Sequence, residues 1–322
     1  MPDLTPAADL IAARLLERPL ILLDGGLATE LERRGADLKD PLWSAKCLIE
    51  SPELIRAVHL DYLHAGADIV CAATYQATFE GFRRRGIERQ EAAQLMRTAV
   101  GLAAAARDEY CAQRACAAPA AFRPLIAASV GPYGAMLADG SEYRGRYGLS
   151  DRELAEFHRR RLEVLASSGA DVLACETIPS LQEALVLARL LEEFPPITAW
   201  ISFSCHDGQH DCEGDDIGSC AAALTDHPRI AALGVNCTAP RHIEELLARM
   251  REHTRKPLAA YPNSGQEYDT HDKRWTGPAA EASLADQARR WYREGARLIG
   301  GCCRTTPEDI RALRDRATEI TS

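Results

Sequence analysis

The residues best suited to chemistry in this chain are thiols. The stretch 298-LIGGCC-303 sets Cys302 and Cys303 side by side behind Gly300 and Gly301, where an apolar run ends, and 232-ALGVNCT-238 carries Cys237 at the end of another. Neighbouring side chains of a regular strand point to opposite faces. Cys302 and Cys303 can therefore share one ligand only if the chain bends, and paired glycines make a bend sterically cheap. Three converging thiolates would hold Zn2+ at about 2.3 Å per sulfur and leave one tetrahedral position open, as catalytic zinc requires. Such a site carries net negative charge. It is a poor Lewis acid for water, but it lowers the pKa of a fourth thiol and leaves that thiolate nucleophilic. Thiol alkylation is the chemistry that suits it. The long interval from Cys237 to Cys302 is not a zinc-finger spacing. A metal-free buried pair, and a vicinal disulfide acting as a redox switch, stay open on these residues alone.

Eleven cysteines is an odd number in a long chain with no export signal, which argues against a disulfide framework. Cys71 in ADIVCAATY and Cys175 in DVLACETIP sit inside strand-like runs and read as plain core. Cys205, Cys212 and Cys220 surround SCHDGQHDCEGDD, with His206 and His210 nearby. That spacing matches no usual zinc pattern, and the stretch reads as a solvated loop without an assigned function.

Elements must position these groups. Nearly continuous apolar runs recur at 20–26, 67–75, 125–134, 172–179, 198–205, 232–238, 257–265 and 298–303, as expected for parallel strands buried on both faces. Helical patterns lie between them, at 52–66, 151–169, 180–194 and 242–254, the second opened by a Ser150/Asp151 cap region. Eight strands alternating with helices predict a (β/α)8 TIM barrel, with an open doubly wound sheet as the alternative. The turn DGGLATE is not GxGxxG, so the dinucleotide fingerprint is missing. The longer connections 32–64 and 76–122 are candidate lids over the barrel mouth. The 322 residues are read as one barrel domain spanning 1–322, with 46% hydrophobic and 26% charged residues. A net charge of -9, with basic residues scattered beside acids, gives no nucleic-acid surface. No apolar run approaches the roughly 20 residues of a membrane span, and the N-terminus lacks a signal-peptide core. The expectation is a cytoplasmic protein with small-molecule partners, no nucleic acid and no membrane, its oligomeric state open.

Active sites of such barrels collect at the C-terminal ends of the strands. Here those ends supply Asp24, Gly25 and Gly26, then Thr74, Ser129, Glu176 with Thr177, Ser204, Asn236 with Cys237, Asn263 with Ser264, and Cys302 with Cys303. The sixth and eighth strands both end in cysteine, close together around the rim.

Along almost its whole length the chain resembles the homocysteine S-methyltransferase family, most closely the branch using S-methylmethionine or S-adenosylmethionine. The matching segments are LDGGLATELERRG, ATYQATFEGF, ASVGPYGAMLADGSEYRGRYG, ACETIPS, GVNCTAPRHI, YPNSGQEYD and LIGGCCRTTPEDI. The resemblance implies that Cys237, Cys302 and Cys303 bind Zn2+ and that homocysteine is methylated on sulfur to methionine. It also implies that Glu176 receives the homocysteine ammonium, and that Asp24, Gly25 and Gly26 form a substrate loop whose backbone N–H groups approach the carboxylate. Thr74 and Ser129 are expected as hydroxyl contacts, and Asn236 as a support behind its neighbouring cysteine. The sulfonium donor favours aromatic faces, for which Trp43, Tyr133, Tyr261 and Trp275 are candidates. SVGPYGAMLADG resembles the S-methylmethionine branch rather than betaine-using relatives. Selenocysteine as acceptor, a non-catalytic zinc barrel and a thiol redox sensor are the competing readings.

Overall fold

The computed structural model describes residues 9–38, 40, 42–114, 123–194, 196–269 and 274–322. The strands are β1 (Ile21–Leu22), β2 (Ile69–Ala72), β3 (Leu125–Val130), β4 (Val172–Ile178), β5 (Ala199–Phe203), β6 (Ile230–Asn236), β7 (Leu258–Tyr261), β8 (Glu267–Asp269), β9 (Arg274–Thr276) and β10 (Ala296–Ile299). Eight of them form one parallel sheet in the order β1-β10-β7-β6-β5-β4-β3-β2. Its two edges meet. Leu23 bridges Ile69 in parallel, and the Asp24 N–H donates to the Ile69 carbonyl at 3.1 Å. Closure leaves neither edge of the sheet open and selects the (β/α)8 TIM barrel over the open sheet. All of β3 and β6 is buried, which explains why these strands read as unbroken apolar runs.

The barrel interior is filled by Ile21, Leu23, Ile69, Ala127, Trp200 and Leu298. Ile11, from the helix Leu10–Glu17, joins the same cluster as Leu125, Val172 and Ala231 at the starts of their strands. A second and larger cluster lies between the sheet and the outer helices. Local sequence sets the helix ends. Pro52 opens the helix Pro52–Ala65, and Gly66, at φ 106°, closes it. Ser150 and Glu153 form a capping box on Asp151–Ala166. Pro240 starts Pro240–His253 two residues before the apolar pattern begins at His242, because a first-turn proline sacrifices no helical hydrogen bond.

The two long connections differ from the lid expectation. Among the described residues of 32–64, the first part covers the barrel mouth, where Glu32, Leu38, Asp40 and Ser44 face the cavity. The stretch 76–122 contains the helices Phe79–Arg84 and Arg89–Arg114. The longer one buries Ala92, Met96, Ala99, Val100 and Ala103 at helical spacing, so it is a wall of the barrel rather than a lid. The antiparallel hairpin β8–β9, which pairs Tyr268 with Trp275, is inserted after β7. Among the described residues no helix is long and apolar enough to cross a membrane.

Candidate active site

The strand ends open on a cavity of about 360 Å³. Beyond Asn236, the last residue of β6, the chain turns at Cys237 through a left-handed φ of 48°. The Cys237 N–H donates to the Tyr261 carbonyl at 3.1 Å. Beyond β10 the chain is pinned on both sides. Gly300 N–H donates to Ala260 O at 3.1 Å, Gly301 N–H to Asp24 O at 3.0 Å and Cys302 N–H to Pro262 O at 2.8 Å. The glycine pair is not there for a left-handed bend, which falls instead on Arg304 at φ 67°. It is there for close approach: a Cβ on Gly300 would lie 2.7 Å from Asp24 O, and one on Gly301 2.3 Å from Thr305 Oγ1.

These turns bring the three thiols together. Cys237 Sγ lies 3.5 Å from Cys303 Sγ, and Cys302 Sγ lies 3.9 Å from Cys303 Sγ. All three sulfurs fall within 4.8 Å of one another. Metal–sulfur bonds of about 2.3 Å in a tetrahedron imply sulfur–sulfur edges of about 3.8 Å, so the trio fits a zinc-sized ion of thiolate preference. Tyr143 Oη is 3.3 Å from Cys237 Sγ. Without a cation, S–H groups of Cys302 and Cys303 facing Cys237 hold its thiol well below the usual range, with a smaller contribution from Tyr143.

Carboxyl groups form the rest of the wall. Asp24 Oδ2 accepts the Cys71 N–H at 2.8 Å. Burial drives the Asp24 pKa up to about 8, against the pull of that hydrogen bond and with help from the nearby Glu176 charge. Glu176 Oε1 accepts the Ser129 hydroxyl, and burial raises its pKa to about 7. Glu142 also lines the cavity, and burial raises it to about 7.

The expected contacts divide. Asp24, Gly25, Gly26, Ser129, Glu176, Cys237, Cys302 and Cys303 all line the cavity, as do Tyr261 and Trp275. Gly26 departs from its expected use, since its N–H is taken by Thr305 Oγ1 at 3.1 Å and Thr305 O at 3.2 Å. Thr74 is not among the lining residues. It is fully buried and donates its hydroxyl to the Ser129 carbonyl at 2.7 Å, tying β2 to β3. Asn236 stands behind the wall, its Nδ2 3.9 Å from Cys302 Sγ. The Tyr133 ring packs against Tyr147 and Phe157, with centroids 5.3 and 5.0 Å away, and is absent from the lining. The side chain of Trp43 lies outside the described residues. Cys175 is core, whereas Cys71 lines the cavity beside Asp24. The stretch 204–216 is not simply solvated. Asp211 is buried and accepts the N–H groups of Glu213, Gly214 and Asp215 at 3.0, 2.9 and 2.9 Å. His206, Asp207 and His210 gather there within 4.8 Å, and none of them lines the cavity.

Residues missed by the strand-end reading are Tyr75, Glu142 and Tyr143. Tyr75 follows Thr74 directly and could have been found by taking both residues at that strand end. Glu142 and Tyr143 sit in the short turn Ser141–Tyr143, inside an aperiodic polar segment with no strand to point at them.

A closed eight-stranded α/β barrel with a thiol trio and buried carboxyls at its C-terminal rim defines the class, a TIM-barrel enzyme with a thiolate site suited to a metal. The profile described as Homocysteine S-methyltransferase matches residues 21–317. A homocysteine S-methyltransferase of Bacillus subtilis, YbgG, is 54% identical over 297 residues, covering 92% of this chain and 93% of its own. A selenocysteine Se-methyltransferase of Brassica oleracea is 49% identical over 305 residues, covering 92% and 88%. The metallated crystal structure of the Escherichia coli homocysteine methyltransferase MmuM superposes with a TM-score of 0.86 at 47% identity, covering 95% of this chain and 99% of that one. The chain belongs to the homocysteine S-methyltransferase family and is a methyltransferase.

Proposed function

We propose that this enzyme transfers a methyl group from S-methylmethionine, or S-adenosylmethionine, to the thiol of L-homocysteine, giving methionine, with Zn2+ held by Cys237, Cys302 and Cys303. The observation that carries this reading is the convergence of three sulfurs within 4.8 Å beside buried carboxyls in one cavity. Zn2+ bound there would lower the pKa of the acceptor thiol while leaving its thiolate nucleophilic. Glu176, with Asp24 beside it, receives the homocysteine ammonium, and Ser129 orients Glu176 through its hydroxyl. The acceptor sulfur attacks the methyl carbon in line as the carbon–sulfonium bond breaks. The departing product is a neutral thioether, so no general acid is needed. Charge is neutralised along the way, and a cavity poor in water favours that step.

The selenocysteine reading is kept because a relative of that name is nearly as similar as the homocysteine enzymes, and a selenol meets the same site chemistry. The barrel is proposed as one domain over 1–322. A cytoplasmic location is proposed because the described cysteines are free thiols, suited to a reducing compartment. The test is metal content of protein purified without chelator, paired with methionine formation from homocysteine and each donor. About one zinc per chain with turnover supports the proposal. Zinc-free protein that stays inactive after zinc is added under reducing conditions would sink it.

A further inference from the structure

The cavity wall is electrically lopsided. Its charged lining residues are Asp24, Glu32, Asp40, Glu142, Glu176 and Arg304. Arg304 stands at the rim, within 4.0 Å of Glu32. Asp24, Glu142 and Glu176 share the cavity with the thiols of Cys71, Cys237, Cys302 and Cys303, and among the described lining residues Arg304 is the one cationic side chain. The acceptor ammonium accounts for Asp24 and Glu176, which lie close enough for the charge of one to raise the pKa of the other. Glu142 is left without a role in that pairing.

Glu142 is nine-tenths buried, and its Oε2 has no hydrogen-bond partner. An unpaired buried carboxylate oxygen is costly, so a group absent from the structure is the natural partner. The surroundings say which kind. Tyr75 and Tyr143 line the same cavity and both feel the Glu142 charge. Tyr143 also reaches Cys237 Sγ at 3.3 Å, so this corner adjoins the thiol trio where a methyl group must arrive. A carboxylate flanked by aromatic faces is the recognition chemistry of an organic cation.

We propose that Glu142, with Tyr75 and Tyr143, forms the subsite that recognises the positive charge of the methyl donor and so sets the preference for a sulfonium over a neutral donor. This inference rests on the methyl-transfer reading above. Glu142 holds the cation electrostatically and takes no part in bond making. A bound donor supplies the partner that this oxygen lacks.

The test uses zinc-loaded enzyme and calorimetric binding of S-methylmethionine, beside its neutral isostere in which a C–H group replaces the sulfonium sulfur. Wild type is expected to bind the sulfonium at least about tenfold more tightly than the isostere. Glu142→Gln is expected to erase that preference, raising the donor KM about tenfold while the homocysteine KM and zinc content stay unchanged. Equal binding of the two ligands by wild type overturns the inference without need of any variant. So does a Glu142→Gln enzyme whose homocysteine KM rises instead of its donor KM. A wild type that makes no methionine overturns the methyl-transfer reading, whereas one that makes methionine with charge-blind donor binding overturns this inference alone.

Discussion

Thr177 and Asn236 hold each other by two hydrogen bonds across the ends of β4 and β6. The Thr177 N–H donates to Asn236 Oδ1 at 2.7 Å, and Asn236 Nδ2 donates to the Thr177 hydroxyl at 2.8 Å. Asn236 Oδ1 also accepts the Ser202 hydroxyl from β5 at 2.8 Å. Each partner adjoins a functional group and a left-handed kink. Thr177 has φ 61° and follows Glu176, while Asn236 precedes Cys237 at φ 48°. Such backbone persists in non-glycine residues when the surroundings over-determine it. The amide clamp therefore fixes together the carboxyl proposed to receive the acceptor and a thiol of the proposed metal site.

Asn236→Ala should loosen both. It leaves the buried Thr177 N–H without its acceptor and strips the Ser202 hydroxyl of one of its two partners, the other being Tyr261 Oη, at a cost of about 1–3 kcal/mol in urea unfolding. Zinc affinity should fall by about 10- to 100-fold, the usual effect of removing a group that orients a ligand. Competition with a chromophoric chelator measures it. Zinc retention equal to wild type would show that the clamp serves the fold alone.

Single substitutions Cys237→Ala, Cys302→Ala and Cys303→Ala should each abolish stoichiometric zinc and turnover while leaving the barrel folded. The three thiols stand at the rim, and the hydrophobic clusters that hold the barrel are built without Cys237 or Cys303. Far-ultraviolet circular dichroism and metal analysis on the same samples decide the matter. Cooperative unfolding on chelation would instead identify the zinc as structural, and a variant that kept both metal and activity would remove its cysteine from the site.

The barrel was legible in the sequence because burial on both faces writes each parallel strand as an unbroken apolar run, and the caps at Ser150 and Gly66 mark helix ends by local chemistry. The thiols were legible because they stand at strand ends, which topology brings together. What stayed hidden depends on side-chain direction. Thr74 and Tyr133 occupy positions as good as Ser129 in the sequence, yet Thr74 turns to a carbonyl and Tyr133 to Tyr147 and Phe157. Arg161 shows the same limit. Nothing in the run of three adjacent arginines at 159–161 sets it apart, yet it is buried and donates to the carbonyls of Tyr75 and Gly131, supporting the strand ends that form the cavity wall.

Glycine substitutions should separate close packing from conformational freedom. A Cβ on Gly300 would press on backbone oxygens of Asp24 and Leu23 at 2.7 and 2.9 Å, which cannot swing aside. Gly300→Ala should destabilise by about 1–3 kcal/mol, typical of overpacking. Gly101, inside the helix Arg89–Arg114, has nothing within 4 Å of its would-be Cβ. Gly101→Ala should stabilise by about 0.5–1 kcal/mol through helix propensity. Shifts of the denaturation midpoint in opposite directions are expected, and a neutral Gly300→Ala would show that the backbone at Leu23 and Asp24 can relax.

Ligand binding should carry the titration of the acceptor carboxyls. The folded-state pKa of Glu176, about 7, and of Asp24, about 8, lie above their ordinary values of 4.5 and 3.8. A raised carboxyl pKa stabilises the fold at acid pH, and that contribution is lost as pH rises through the folded value. Ligand-free enzyme should therefore melt at progressively lower temperature from about pH 4 to 8, between the unfolded and folded values. An ammonium ion pairs with the ionised carboxylate, so ligand affinity should run the other way. Methionine is the useful probe, since it carries the amino-acid head group without a titrating thiol. Its affinity should weaken about tenfold between pH 8 and pH 6, following the ionised fraction of a group with pKa near 7. Glu176→Gln should weaken binding at pH 8 and flatten the profile. A methionine affinity independent of pH in wild type would mean that the ammonium is held elsewhere, and Glu176 would lose its assignment as the acceptor's anchor.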